Sequence, residues 1–378
     1  MLRNVYISQT NCITPLGFDV ASNVDMISHG ISAIQSHENT ALMKGPFYAA
    51  VIEDAALDMA FSKISHDTSF TRLEKMMLLA LFPIVTESAL NDRTGFIVST
   101  TKGNVSALEN ATVENVQKAQ LSTLAQTIAT FFGFTTEPIV VSNACVSGIL
   151  AVAIAKRLIQ SQMYDQIYVV AGDEVTQFVL SGFNSFQAMS ELPCKPYSIH
   201  RTGVTLGEAA AAVLVTSDPE KAKIKIVGES SINDANHISG PSRTGEGLVK
   251  SVENALNEAG LKSDDIDYIS APGTATPFND EMEAIALNRL GLEKVPINSL
   301  KGFYGHTLGA SGLLEAVIGI ESVLNGQLFK SQGFDEIGVS QPINVIKKNQ
   351  VKDLHYFLKT ASGFGGCNTA VIFEKIIQ

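Results

Sequence analysis

The sequence predicts an α/β fold made of two similar halves, and two internal repeats support this prediction. Residues 147–150 read Ser-Gly-Ile-Leu and residues 311–314 read Ser-Gly-Leu-Leu, each at the start of a long apolar stretch. A second pair, LGEAAAAVLV at 206–215 and FGGCNTAVIF at 364–373, follows in the same order. Apolar segments of strand length alternate with segments of helical periodicity, which is typical of sheets covered on both faces.

In the first half, the residues up to about 70 predict mainly loops and short helices after an initial strand. Apolar runs predict strands at Val5–Ile13, Gly95–Ser99, Ile139–Val141, Ile167–Gly172 and Ala209–Val215. Helical periodicity over Arg72–Thr86 and the apolar stretch over 147–160 predict two helices.

The second half repeats this alternation after the charged stretch Asp218–Lys223, which is the expected boundary. The predicted domains are therefore residues 1–220 and 221–378. The second half has predicted strands at Ile224–Val227, Ile266–Ser270 and 369–374, and predicted helices at Gly247–Ala259, Asp280–Leu290 and 311–324. No low-complexity linker separates the halves, so we expect them to pack tightly together.

The composition excludes several classes of protein. Of 378 residues, 45% are apolar and 17% are charged, which is enough for a large core and too few charges for a disordered chain. The net charge of −11 argues against nucleic-acid binding, because phosphate contacts need clustered Lys and Arg. No apolar run approaches 18 uninterrupted residues, so we expect no membrane span.

The cysteines and the N-terminal residues indicate a cytoplasmic protein without a metal site. The four cysteines lie far apart, with no CxxC pair and no zinc-like spacing, at Cys12, Cys145, Cys194 and Cys367. In a long chain this pattern predicts free thiols in a reducing compartment. The first residues, MLRNVYISQTNCITPLG, lack the extended apolar region of a signal peptide.

The two halves differ in the residue placed before their apolar helix. The first half offers Cys145 and the second offers His306. A thiol at a helix N-terminus meets unpaired N–H groups and the positive end of the helix dipole, and both favour the reactive thiolate. A buried structural cysteine and a core histidine are the simpler alternatives. The equivalent positions of these residues instead predict a nucleophile facing its partner. The glycine-rich turn 363–366 before the last strand could direct a backbone N–H at a developing oxyanion.

Four motifs resemble those of the β-ketoacyl-acyl-carrier-protein synthases, the condensing enzymes of the thiolase-like superfamily. They are SNACVSG, YISAPGTATPFND, KGFYGHTLGASGLLEA and SGFGGCN, in this order and at suitable separations. The resemblance covers nearly the whole chain. It implies a thiolase-like fold in which two duplicated α/β halves stack as a five-layer αβαβα sandwich.

The resemblance also implies a role for each matching residue. Cys145 would take an acyl chain from the phosphopantetheine of a carrier protein, and malonyl-carrier protein would lose CO₂ and extend that chain by two carbons. His306 would donate to the malonyl thioester oxygen, with electrostatic support from Lys301 and Glu315. The N–H groups of Cys145 and Phe364 would form the oxyanion hole, and the Phe364 ring would gate the acyl pocket. Residues expected to bind the malonyl or pantetheine part of the substrate are Thr274, Thr276 and His237.

One residue departs from the family pattern at the expected site. A second histidine usually precedes Gly-Thr-x-Thr, and this chain has Pro272 there. Proline has neither a side-chain donor nor a backbone N–H, so it cannot share the enolate oxygen. Losing one such donor typically lowers a rate about 10²–10³-fold. Decarboxylation and condensation should suffer more than acylation.

Three functions are therefore compatible with the sequence. The first is a condensing enzyme in fatty-acid or polyene/polyketide-type synthesis, which the retained Cys145 favours. The second is a largely non-catalytic subunit that resembles a chain-length factor and pairs with a complete synthase, which Pro272 favours. The third is an acyl shuttle through Cys145 without decarboxylation. We expect acyl carrier protein as a partner, a homodimer or heterodimer with a second ketosynthase, and no bound cofactor or metal beyond carrier-linked phosphopantetheine.

Overall fold

The computed structural model of the protein describes residues 3–85, 90–110, 112–236 and 238–376. The strands in this part of the chain are β1 (Tyr6–Ile13), β2 (Gln35–His37), β3 (Phe47–Ala50), β4 (Thr94–Ser99), β5 (Ile139–Val141), β6 (Gln166–Asp173), β7 (Leu206–Gly207), β8 (Ala209–Thr216), β9 (Ile224–Asn233), β10 (Tyr268–Ser270), β11 (Pro296–Asn298), β12 (Gln327–Leu328), β13 (Asn344–Val345), β14 (Gln350–Val351), β15 (Tyr356–Gly363) and β16 (Cys367–Lys375). The α-helices are α1 (Val20–Ser28), α2 (Asp54–Phe61), α3 (Arg72–Val85), α4 (Val113–Lys118), α5 (Leu121–Phe132), α6 (Ser147–Gln160), α7 (Gln177–Ser185), α8 (Glu246–Ala259), α9 (Pro277–Arg289), α10 (Lys301–Tyr304) and α11 (Ser311–Asn325). Short 3₁₀ turns lie at Val105–Asn110, Pro219–Lys221, Ser263–Asp265 and Leu308–Ala310.

Over the described ranges the main sheet has eleven strands, in the order β13-β11-β10-β15-β16-β9-β1-β8-β6-β4-β5. Its two sides repeat one pattern. On the first-half side, β1, β8 and β6 are antiparallel neighbours, and β4 and β5 run parallel to β6. On the second-half side, β9, β16 and β15 are antiparallel neighbours, and β10 and β11 run parallel to β15. Strand order and direction therefore show the duplication that the sequence repeats predict.

Helices form three layers around and between the two sides of the sheet. α3 packs on β1, β6 and β8, and α8 packs on β9 and β16. Between the two sides, α6 packs against α11, with α6 also on β4 and β6 and α11 also on β8 and β15. The order is therefore helix, sheet, helix, sheet, helix, which is the predicted five-layer sandwich.

The two halves are joined at the middle of the sheet. β1 and β9 pair there through two residue pairs, Tyr6 with Lys225 and Ile7 with Ile224. A single core continues from one half into the other, because α6, α11 and the inner faces of both sheet sides belong to one buried apolar cluster. The predicted division at residue 220 stays a prediction.

The central helix α11 is apolar along nearly its whole length. Within the described ranges, Leu308–Asn325 is the one helical stretch long and apolar enough to cross a membrane by length and composition, and 83% of it is buried inside the protein. Its contacts with α6, β8 and β15 occupy its apolar surface.

Two of the differences between the predicted and the observed strands have identifiable reasons. The sequence predicts a strand over Ile224–Val227, but β9 continues to Asn233. Burial alternates along β9, so its polar residues face outward without ending the strand. β15 was not predicted because Lys359 interrupts its apolar run, yet that lysine is fully buried.

Candidate active site

The two residues that the sequence pairs across the duplication meet in space. The Sγ atom of Cys145 lies 3.1 Å from Nε2 of His306, although 161 positions separate them in the chain. Cys145 lies between β5 and α6, and His306 lies between α10 and the turn before α11. Because α6 and α11 pack against each other, their N-terminal ends bring the thiol and the imidazole together.

Backbone contacts from the first half hold the loop that carries His306. The N–H of His306 donates to the carbonyl of Thr205 at 2.7 Å, and its carbonyl accepts from the N–H of Gly207 at 3.0 Å. The buried carboxylate of Asp173, at the end of β6, accepts from the N–H of Gly309 at 2.7 Å. The imidazole is therefore fixed from both sides of its loop by the half that carries Cys145.

Burial keeps both members of the pair uncharged. It raises the pKa of the Cys145 thiol, although Lys102 and Lys301 and the backbone N–H of Phe364 oppose this effect. Burial also lowers the pKa of His306 well below its ordinary value, and the charges of Lys301 and Lys102 add to this. The prediction that the helix end favours the thiolate stays a prediction, and in the unreacted site desolvation outweighs the charges that favour the thiolate.

The other nitrogen of the imidazole contacts a serine. His306 Nδ1 lies 2.9 Å from Oγ of Ser311, which lies 3.1 Å from Oγ1 of Thr307. All three residues are buried. A hydroxyl can accept a hydrogen bond from Nδ1–H or donate one to a bare Nδ1, so Ser311 satisfies either neutral tautomer of His306.

Behind the imidazole, one carboxylate is shared by two lysines. Glu315 Oε1 accepts from Lys301 Nζ at 2.6 Å, and Glu315 Oε2 accepts from Lys359 Nζ at 2.7 Å. Burial raises the pKa of Glu315, but the two lysines lower it by more than burial raises it. The pKa of Glu315 therefore lies below its ordinary value. Lys301 and Glu315, which the resemblance names as support for the imidazole, therefore form one buried cluster with Lys359.

The glycine-rich turn before β16 lies against Cys145. The backbone N–H of Phe364 hydrogen-bonds to the sulfur. Gly363 permits this approach, because a Cβ there would lie 3.0 Å from the Cys145 backbone nitrogen. The Phe364 ring is 37% exposed and stacks on Phe183 with ring centroids 5.7 Å apart, and Phe186 packs against its edge.

A cavity of about 460 Å³ leads from the surface to Cys145 and His306. Its wall includes Thr274 and Thr276, whose hydroxyl oxygens lie 2.8 Å apart. Phe364 and exposed Phe278 also line it, so the passage combines apolar rings with two hydroxyl groups. His237, the remaining predicted substrate-binding residue, lies outside the described residues.

Pro272 borders a second and much smaller cavity. This space of about 10 Å³ lies among Cys145, Pro272, Lys301 and His306. The carbonyl of Pro272 accepts from Oγ of Ser299 at 2.9 Å. Pro272 therefore places a ring without a hydrogen-bond donor where the family usually has a second imidazole. The cavity beside this ring has space for about one water molecule.

Sequence reasoning missed three residues of this site. Lys359 is a lone charge inside an apolar strand, and such a residue almost never lies fully buried without a partner, so it could have been noticed. Ser311 could also have been noticed, because it opens the repeated Ser-Gly-Leu-Leu segment only five residues after His306. Asp173 carried no local signal, because its contact with Gly309 arises only when the two halves pack.

Comparison with known proteins identifies the family. The family model described as "Beta-ketoacyl synthase, N-terminal domain" matches residues 3–221, and the one described as "Beta-ketoacyl synthase, C-terminal domain" matches residues 224–335.

Among curated relatives, a protein of Schizosaccharomyces pombe named as a mitochondrial 3-oxoacyl-[acyl-carrier-protein] synthase is 28% identical over 73% of this chain and 70% of its own length. The 3-oxoacyl-[acyl-carrier-protein] synthase 2 of Vibrio cholerae is 30% identical over 63% of this chain and 62% of its own length. The matches thus span about two thirds of the length of each of these relatives.

Solved structures show the same fold over the whole chain. A ketosynthase in complex with its chain length factor from Xenorhabdus doucetiae superposes with a TM-score of 0.86 at 24% identity, over 99% of this chain and 98% of its own. The ishigamide ketosynthase/chain length factor superposes with a TM-score of 0.90 at 19% identity, over 100% of both chains. The fold is therefore thiolase-like.

Proposed function

Because the chain belongs to the β-ketoacyl synthase family, we propose that it is a 3-oxoacyl-[acyl-carrier-protein] synthase-type acyltransferase. In this proposal Cys145 holds an acyl chain and malonyl-carrier protein extends it by two carbons. The observation that carries the proposal is the 3.1 Å contact between Cys145 Sγ and His306 Nε2 at the end of an open cavity. A buried structural cysteine would need neither this partner nor access from the surface.

The first half-reaction is acyl transfer to Cys145. His306 Nε2 accepts the thiol proton as Sγ attacks the thioester carbonyl, because the unreacted pair is neutral. Negative charge develops on the carbonyl oxygen, which the N–H groups of Cys145 and Phe364 stabilise. Phosphopantetheine then leaves as the thiol, with a proton returned from His306 or from solvent.

The second half-reaction is decarboxylative condensation. The C–C bond of the malonyl group breaks, CO₂ leaves, and its electron pair forms an enolate. For this step His306 must carry its proton on Nε2, and it reaches this tautomer after acylation when solvent supplies a proton to Nε2 and Nδ1 releases its own. The Nε2–H then donates to the enolate oxygen, while Ser311 donates to Nδ1. The enolate carbon attacks the acyl carbonyl, and the Cys145 sulfur leaves as a thiolate that takes up a proton.

The two threonines on the cavity wall suit the carrier's arm. Phosphopantetheine has amide groups that need hydrogen-bond partners along an apolar passage. Thr274 and Thr276 place two hydroxyl oxygens 2.8 Å apart on that wall. His237 would contact the malonyl end of the substrate. The Phe364 ring would move aside to admit an acyl chain.

Pro272 supports a second candidate function. A chain-length-factor-like subunit would shape the acyl pocket of a partner synthase and would not need the donor that Pro272 lacks. An acyl shuttle that uses only the first half-reaction is the third candidate. Retention of Cys145 and its contact with His306 favours the condensing enzyme, since both are dispensable in a non-catalytic subunit.

The assembly and location are also proposed from the family. We expect a dimer, formed with a second copy or with a second ketosynthase through the first-half side of the central sheet, whose last strand is β5. Exposed apolar side chains lie in α4 and the turn before it, which connect through α5 to β5: Leu108, Val113 and Val116. The molar mass in solution, alone and with a candidate partner, tests this. We expect the protein in the cytoplasm, and acyl carrier protein delivers phosphopantetheine to it.

Stepwise loading separates the three functions. Incubation with acyl-carrier protein should add one acyl mass, which the Cys145→Ser variant should lack. Malonyl-carrier protein should then give a product longer by two carbons. Absence of any adduct would leave only the subunit function. An adduct without extension would leave the shuttle, and extension only when a second synthase is added would favour the subunit.

Pro272→His is the most direct probe of the missing donor. If the second imidazole is what limits condensation, this variant should raise the extension rate of the protein alone. The acylation rate should stay the same, because that step does not use this position.

A further inference from the structure

The cluster behind His306 holds more positive than negative charge. Glu315 supplies one carboxylate, and Lys301 and Lys359 supply two ammonium groups on its two oxygens. All three side chains are at most 4% exposed. The buried carboxyl of Glu283 also interacts electrostatically with both lysines, but its hydrogen bonds go to Tyr197, Gly273 and Asn279. The direct pairing therefore leaves one cation in excess, which is costly inside a core and which a purely structural role does not explain.

The two lysines differ in how their N–H donors are used. Lys359 Nζ donates to Glu315, to the Ser270 carbonyl at 3.1 Å and to the Thr360 carbonyl at 2.6 Å, which uses all three donors. Among the described residues, Glu315 is the one hydrogen-bond partner of Lys301 Nζ. Lys301 therefore has donors to spare, and Lys359 has none.

Lys301 also lies on the wall of the small cavity beside Pro272. Cys145 and His306 line the same cavity, so a substrate oxygen placed between the imidazole and Pro272 would enter it. The space of about 10 Å³ accommodates roughly one oxygen-sized group. This is where the donor missing from Pro272 would be needed.

We propose that the ammonium group of Lys301 donates to the malonyl thioester oxygen in place of the missing histidine, and that Lys359 makes this possible by sharing Glu315. The inference rests on the proposed condensing function. As the C–C bond breaks and CO₂ leaves, its electron pair forms the enolate, whose oxygen accepts hydrogen bonds from Lys301 and from His306 Nε2. No proton is transferred in this step. Without Lys359, the Lys301–Glu315 pair would be neutral and would stabilise the enolate less.

Lys359 is a positioning residue, and its role is tested by comparing two half-reactions. Lys359→Met should lower CO₂ release from malonyl-carrier protein by about 10–100-fold. Acylation of Cys145, followed by mass, should change less than about threefold, because acylation develops its charge at the Cys145 and Phe364 N–H groups. The matched control is Lys156→Met, since Lys156 is another buried lysine paired with one carboxylate, Glu258. This control should leave the ratio of the two rates unchanged.

The same measurement in a Pro272→His background separates an electrostatic role from a structural one. A restored imidazole supplies the second donor, so Lys359→Met should then lower CO₂ release less than about threefold. A loss of stability would lower both half-reactions in both backgrounds. Lys359→Gln, which keeps two N–H donors without the charge, provides a second variant if the methionine variant folds poorly, and it should show the same selective loss.

Three results have distinct meanings. If the wild-type protein releases no CO₂, alone or with a second synthase, the proposed function itself fails. If the wild-type protein releases CO₂, and both Lys359→Met and Lys359→Gln release it at the wild-type rate, the inference about Lys301 and Lys359 fails. The proposed function then still stands. Equal loss of acylation and CO₂ release in both backgrounds would also overturn the inference.

Discussion

Gly148, in the first turn of α6, lies directly against Gly309, in the turn before α11. A Cβ on Gly148 would come within 2.6 Å of the Gly309 carbonyl oxygen and 3.0 Å of the Leu313 nitrogen. Because Cys145 precedes Gly148 and His306 precedes Gly309, this close contact sets how near the sulfur and the imidazole can be.

Gly148→Ala should push the two helix ends apart and lengthen the distance between Cys145 and His306. We expect acylation of Cys145 to slow by about 10²-fold and the free energy of unfolding to fall by about 1–3 kcal/mol. Loading by acyl-carrier protein and denaturant unfolding measure the two effects. Gly182→Ala in α7 is the control, because its Cβ would meet no atom of the described residues within 4 Å, so this variant should leave loading unchanged. Wild-type loading of Gly148→Ala would contradict the argument.

The thiol of Cys145 should react more slowly at neutral pH than an activated cysteine. Burial raises its pKa above the ordinary value of 9.0, so alkylation by iodoacetamide should keep accelerating as pH rises beyond 9. Cys12 is a built-in control, since burial raises its pKa much further and it should stay unlabelled. A rate that levels off below pH 8 would show that the helix end and the nearby lysines lower the pKa of Cys145 by more than desolvation raises it.

Ser311→Ala should remove the Nδ1 partner of His306 and leave its tautomer unsupported. We expect kcat for chain extension to fall by about tenfold with KM changed less than twofold, because Ser311 acts through the His306 imidazole and does not line the main cavity that admits the carrier arm. Ser251→Ala is the matched control, since Ser251 is also a buried helical serine, and among the described residues its hydroxyl bonds only the Leu248 carbonyl, at 2.8 Å. An unchanged kcat in Ser311→Ala would exclude a role for this hydroxyl.

Glu174 should make stability depend on pH. Burial raises the pKa of this carboxyl to about 7, from 4.5 in the unfolded chain. Between these two pH values the folded protein holds a proton that the unfolded chain releases. The protonated Glu174 therefore makes its full contribution to the free energy of unfolding below about pH 4.5, and this contribution is lost as the pH rises to about 7. The loss amounts to at most about 3 kcal/mol.

Glu174→Gln should remove that part of the dependence. The variant should be more stable than the wild type at pH 8 and similar at pH 4.5, as measured by urea unfolding at both pH values. Asp280, whose pKa burial also raises to about 7, should preserve some slope in the variant. Identical slopes for the two proteins would show that Glu174 titrates normally.

Much of this fold follows from local patterns in the sequence. The helices at 147–160 and 311–324 were predicted from repeated Ser-Gly pairs before apolar runs, and the structure has α6 at Ser147–Gln160 and α11 at Ser311–Asn325. The buried strand β6 and the half-buried strand β5 also lie close to their predicted bounds, because their side chains are apolar on both faces. One face of β9 is solvated towards its end, so polar residues replace apolar ones there. The sequence pattern therefore predicts an earlier end for this strand than the structure has.

The site was predictable only as far as its motifs extend. Cys145, His306, Lys301 and Glu315 each lie in a recognisable motif. Lys359 lies outside the recognised motifs and reaches Glu315 across 44 positions. The ionisation state of Cys145 depends on how completely the packed halves exclude water, which no local pattern specifies.

The interlocking of α6 and α11 has a consequence for biosynthesis. A ribosome that has completed the first 220 residues has produced α6 and β8 long before α11, which covers both, has been made. The emerging chain therefore displays a wide apolar surface during translation, which is the kind of surface that chaperones hold until the missing helix arrives.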